Sequence, residues 1–78
     1  MLPVQCRMAR TALGMKIAEL AELANVSTNT VVRFEKGEDL KESTVDQLRS
    51  ALEDAGVQFI PENGGGPGVR LAKRVTTS

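Results

Sequence analysis

The sequence predicts an all-α fold, four helices closed by a short C-terminal β-hairpin, on three observations. Apolar residues recur at steps of three and four through most of the chain before Gly56, the period of a helical face. Residues suited to ending helices, Gly14, Asn25, Gly37 and Gly56, divide that run into four pieces. Beyond Gly56 the period changes, and VQFI and VRL read as two short strands around a glycine-rich loop.

Pro3 suits the first turn of helix 1, where its missing N–H would have had no partner in any case. That helix is expected to run to about Ala12 and stop at Gly14, with Leu2, Cys6, Ala9 and Leu13 as its inward stripe. Helix 2 is expected over Lys16 to Ala24, with Ile17, Leu20, Ala21 and Ala24 sharing a face. The apolar set resumes at Val26, Val31 and Phe34 after a break at Asn25, so the chain axis bends there. Asn tolerates the left-handed conformation that ends helices, and Ser27 is a natural N-cap for helix 3, expected from Thr28 to Glu35 and closed by Gly37. Small Ala21 lets helices 2 and 3 approach closely, giving two helices joined by a tight turn.

A loop at 38–41 leads to helix 4, with Ser43 expected as N-cap and Asp46 as its reciprocal partner. Val45, Leu48, Leu52 and Ala55 form its buried stripe, and Gly56 terminates it. Strands are then expected at 57–60 and 69–71, with a loop at 61–68 and a flexible tail over 72–78. A lone two-stranded hairpin is marginal in water. It is expected to pair with a second copy through Val57, Phe59, Ile60, Val69 and Leu71, since an exposed apolar strand edge invites aggregation. The alternative is that it covers the base of helix 4. The organisation is thus a helical domain at 1–56, a candidate dimerisation hairpin at 57–71 and the tail.

Composition narrows the function. With 78 residues and two Phe as the only aromatics, the chain can bury one modest core. Ten basic and ten acidic residues cancel, so attraction to a polyanion has to come from local charge. Between Asn25 and Arg33 no acidic residue occurs, and Lys16, Arg33, Lys36 and Lys41 bracket helix 3, while Glu19, Glu22, Asp46, Glu53 and Asp54 fall on other segments. The single cysteine excludes an internal disulfide, and Cys6 reads as a small core residue because no His exists to activate it. The same inventory argues against an ordinary zinc site, any cofactor and an enzyme. No apolar run approaches a membrane span and no signal peptide opens the chain, so a cytoplasmic location is expected. The loop PENGGGPG lacks the GK[ST] ending of a phosphate loop and leads into a strand, so it reads as a turn.

The segment IAELAELANVSTNTVVRFEKG resembles the Cro and phage-repressor (XRE-like) helix-turn-helix family, and flanking segments extend the likeness over most of residues 2 to 56. Asn25 departs from the family's usual Gly, and Ile17 from a frequent Gln. The resemblance implies a lambda-repressor-like four-helix domain whose third helix enters the major groove of double-stranded DNA. By residue-for-residue match, the base-contacting positions are Ser27, Thr28, Asn29 and Arg33, with Val32 at the edge. Asn29 suits paired bonds to adenine, Arg33 paired bonds to guanine, and Thr28 a thymine contact. Phosphate contacts are expected from Lys16, the amide of Ile17, Thr30, Lys36 and Lys41. The resemblance also implies a structural ion pair between Arg10 and Glu35.

The expected function is a sequence-specific transcriptional regulator, a repressor binding a palindromic operator as a homodimer. Activation through an acidic patch such as Glu19 and Glu22 is left open by the residues. An alternative is an antitoxin in which residues 57 to 78, with Arg70, Lys73 and Arg74, bind a toxin. A third reading is a protein-binding module, which overall neutrality permits.

Overall fold

A computed structural model describes residues 1–61 and 64–72 of the chain. Its elements in order are α1 (Pro3–Ala12), α2 (Ile17–Ala24), α3 (Thr28–Glu35), α4 (Glu42–Asp54), β1 (Val57–Ile60) and β2 (Gly68–Leu71). The predicted fold class is the one found. Glu62 and Asn63 of the expected loop lie outside the described residues, as does the expected tail beyond Ala72, including Lys73 and Arg74.

The three helices that lead to the functional surface end alike. After α2, Asn25 adopts the left-handed conformation at φ 59°; its amide bonds Glu22 O at 3.2 Å and the Val26 amide bonds Ala21 O at 2.9 Å. This paired closure satisfies carbonyls that a helix end leaves without partners. The same pair of bonds closes α1 around Gly14 and α3 around Gly37. A further side-chain bond, Gln47 Nε2 donating to Ala24 O at 3.3 Å, ties α4 to the end of α2. The bend between α2 and α3 is therefore fixed by hydrogen bonds on both sides.

The core lies where all four helices meet. Leu20, Leu48, Leu52, Val31 and Cys6 are fully enclosed, and Ala9, Ala21, Ala24, Phe34 and Val57 complete it. Each enclosed Leu contributes about 1.5–3 kcal/mol relative to leaving it in water. Ala21 sits on the face of α2 that meets α3 and α4, so the short turn depends on its small size.

Two expected details are corrected. Helix 4 begins earlier than Ser43: the N-cap is Lys41, whose carbonyl accepts from the Thr44 and Val45 amides, and Asp46 makes no cap bond. Glu42 occupies the first turn instead, where a carboxylate is favoured by the helix dipole. On α1, Leu2 is 45 % exposed rather than inward, and Gln5 takes the buried position at 6 %. Simple apolar spacing passes over Gln5 because it is polar. Its amide is nonetheless fully used: Oε1 accepts the Leu2 amide at 2.9 Å, while Nε2 donates to Ile60 O at 3.2 Å and Gly68 O at 3.0 Å.

Those last two bonds hold the hairpin. β1 and β2 are antiparallel with Val57 opposite Leu71 and Ile60 opposite Gly68. β2 packs on α1 and β1 on α4, so the hairpin lies against the helices of its own chain. Val57, offered above as a dimer residue, is 3 % exposed within the single chain and is spent on the core. Phe59 and Val69 are half-buried against the same core. Gln5→Ala should leave both carbonyls without their donor and cost about 1–3 kcal/mol. Denaturant unfolding would measure that loss, and hydrogen exchange would locate the loosened protection in β1 and β2.

Candidate nucleic-acid interface

α3 has one face in the core and one in solvent. Val31 and Phe34 are buried, while Thr28, Asn29 and Arg33 are exposed and Val32 is half-buried beside them. The helix starts at Ser27, whose Oγ accepts the Thr30 amide at 3.1 Å. The Ser27 and Thr30 hydroxyls also bond each other at 2.8 Å. Ser27 therefore serves first as the helix cap, and one hydroxyl hydrogen of the pair stays free for an acceptor on a bound molecule. Among the described residues Asn29 makes no side-chain hydrogen bond, and its side chain is exposed, which suits its amide oxygen and NH2 to an outside partner.

Arg33 is differently placed. Its side chain is 46 % exposed, but its Nε donates to Glu38 Oε1 at 2.9 Å. Sequence spacing did not anticipate this partner, because helical periodicity ends at Lys36 and Glu38 is brought back only by the turn at Gly37. The signal that could have found it is the Gly two residues after the helix end, which folds the next residue onto the last turn.

The basic residues around α3 are all at the surface. Lys16, Lys36 and Lys41 are exposed, whereas Ile17 is half-buried with its side chain against the core. At the start of α2, Glu19 Oε1 accepts the Lys16 amide at 2.8 Å. That amide is no longer free for a phosphate, and a negative charge stands beside the ones that remain. A cleft lined by Thr30, Arg33, Asp39, Leu40, Lys41 and Thr44 continues the surface from α3 to the start of α4. Glu38, Asp39 and Glu42 alternate there with Lys36 and Lys41, so the local charge is mixed.

Beneath this surface lies the ion pair. Glu35 closes α3 with a side chain only 4 % exposed. Arg10 Nε donates to its Oε2 at 2.8 Å and Arg10 Nη2 to its Oε1 at 2.9 Å, a two-bond fork. Arg10 Nη1 also donates to Met15 O at 3.2 Å, tying α1 to the turn before α2. Cys6 Sγ, at 3.5 Å, supplies a third side-chain donor to Glu35, and Arg7 approaches at 3.8 Å from the solvent side. Burial pushes the Glu35 carboxyl up, but the bonds and charge of Arg10, the thiol and Arg7 outweigh it and hold the group below the usual carboxylate range. The consequence for the surface is positional: the end of α3 is bolted to α1.

An exposed polar helix carried over a tight turn on a second helix defines a DNA-binding helix-turn-helix domain. A family model described as Helix-turn-helix matches residues 7–53, and the chain belongs to that family, in its XRE-type form. No curated protein matches the chain. Membership implies DNA binding and a regulatory role in transcription, and domains of this family are not enzymes. Among the described residues no helix is long and apolar enough to cross a membrane.

Proposed function

We propose that the chain is a cytoplasmic, sequence-specific repressor that binds a palindromic operator as a homodimer, reading bases with Thr28, Asn29 and Arg33. The observation that carries this reading is the outward face of α3, where short hydrogen-bonding side chains and one guanidinium stand exposed while the only acid of that helix, Glu35, is buried. Asn and Arg are the side chains whose paired donors and acceptors match adenine and guanine edges in the major groove. Ser27 and Thr30 contribute the remaining hydroxyl at the helix start. Lys16, Lys36, Lys41 and the Ile17 amide take phosphates on either side, fixing register without reading sequence.

The mixed charge around α3 gives weak nonspecific attraction, so two copies on one site supply affinity that a single domain lacks. The dimer contact draws on the free edges of the hairpin and on Leu71, which is 56 % exposed, with Ile60, Phe59 and Val69 behind it. Val57 supports it only from within the core. The two reading helices then enter successive major grooves about 34–36 Å apart. Occupation of such a site excludes polymerase, the simplest mode of action for a domain of this size.

Selection of bound duplexes from a random pool tests the proposal. The expected result is an enriched palindrome with half-site centres about one helical turn apart. Enrichment of a single asymmetric site would remove the homodimer, and no enrichment at low salt would remove sequence-specific binding altogether.

A further inference from the structure

We infer that Glu38 is a positioning residue for Arg33, setting the sequence discrimination of the DNA surface. The inference rests on the reading of Arg33 as a base contact. Two independent links hold residues 33 and 38 together. The Glu38 amide donates to Arg33 O at 3.1 Å, and the Gly37 amide to Phe34 O at 2.9 Å, the paired closure of α3. Gly37 at φ 98° turns the chain so that the Glu38 side chain returns over the last turn of the helix. There its Oε1 accepts Arg33 Nε at 2.9 Å. The helix terminus thus places Glu38 where its carboxylate reaches Arg33.

That geometry has two effects. A guanidinium bonded through Nε leaves Nη1 and Nη2, the pair that matches guanine O6 and N7, as donors for a bound base. Much of the side-chain freedom that Arg33 would lose on meeting a base is already lost in the free protein. The second effect is repulsive. A carboxylate at this place, followed by the exposed Asp39 that lines the same cleft as Arg33, opposes any phosphate backbone that approaches without offering Arg33 a base edge. Sites that offer Arg33 a base edge gain from the fixed guanidinium, other sites meet the repulsion without that gain, and the ratio between them widens.

The test compares wild type, Glu38→Ala, Glu38→Gln and Arg33→Ala by fluorescence anisotropy on two labelled duplexes, the selected site and a scrambled site of equal length. Glu38→Ala and Glu38→Gln should bind the scrambled duplex about three- to fivefold more tightly, the scale of one exposed charge interaction. Their preference for the selected site should fall about fivefold, and repeated selection should show relaxed choice at the one base pair per half-site that Arg33→Ala also relaxes. Thermal midpoints should stay within a few degrees of wild type, since both side chains are about half exposed and such surface pairs contribute little. A purely structural role for Glu38 would shift the midpoint and leave base choice alone. If Arg33→Ala relaxes one position while both Glu38 variants keep wild-type discrimination, this inference fails and the base-reading role of Arg33 survives. If Arg33→Ala relaxes no position, both fail together.

Discussion

Arg10→Ala unfolds the domain well before it disturbs any surface contact. The variant leaves Glu35, 4 % exposed, without the fork that holds its charge. Removing one member of a buried pair costs about 3–5 kcal/mol, more than the intact pair contributes, because the survivor stays charged in a poor environment. For a domain of this size, that corresponds to a fall of roughly 12 to 40 °C in the thermal midpoint. DNA binding should recover at temperatures where the variant is folded, since Arg10 lies beneath α3 and not on its outer face. Calorimetry at neutral pH decides the matter, and a midpoint within about 3 °C of wild type would contradict the stabilising role.

The same pair gives the domain an acid limit. The folded Glu35 carboxyl lies below its unfolded value, so the unfolded chain binds a proton first as pH falls. The stabilisation is complete above the ordinary carboxylate range and is lost as pH drops through the folded value. Glu35→Gln should be less stable at neutral pH and show a flatter dependence across that acidic window.

Asn29→Ala and Arg33→Ala act on the opposite face and in the opposite way. Each should leave the thermal midpoint nearly unchanged, because among the described residues Asn29 makes no side-chain bond and Arg33 only an exposed one. Each should weaken binding to the selected operator by about tenfold to a hundredfold per half-site, the worth of one two-bond base contact. The loss should shrink on scrambled duplexes, where phosphate contacts dominate. Lys36→Ala and Lys41→Ala make the contrast: they should weaken both duplexes alike and reduce the salt dependence. Equal losses on both duplexes for Asn29→Ala would place that residue at the backbone instead of the bases.

Much of the fold was legible because its signals are local. The limits of α3 and the ends of α1 and α2 follow from caps and glycines whose physics acts within one turn. Ser27 and Asn25 could be assigned from residue type alone, and the helix-turn-helix register followed from them. What escaped depends on side chains meeting across the chain. Gln5 is buried because two strand carbonyls some sixty residues away need its amide, and no periodicity carries that information. α4 starts at Glu42, capped by the backbone of Lys41 and not by a Ser43 side chain, and residue type gives no sign of such a cap. Among the candidate contacts, residue type predicted exposure at Thr28, Asn29 and Arg33. It did not predict that Glu19 would occupy the Lys16 amide just ahead of α2 or that Glu38 would hold Arg33, since both depend on backbone geometry at a helix end.

Cys6 is the chain's sole thiol, wholly enclosed and pushed up to about 12 by burial and the neighbouring Glu35 carboxylate. Near neutrality almost none of it is ionised, and no alkylating reagent can touch it until α1 lifts away. The rate at which this sulfur is labelled is therefore a clock for breathing of the whole body, built in without any engineered probe. It would separate variants that loosen the scaffold from those that merely blunt its outer surface.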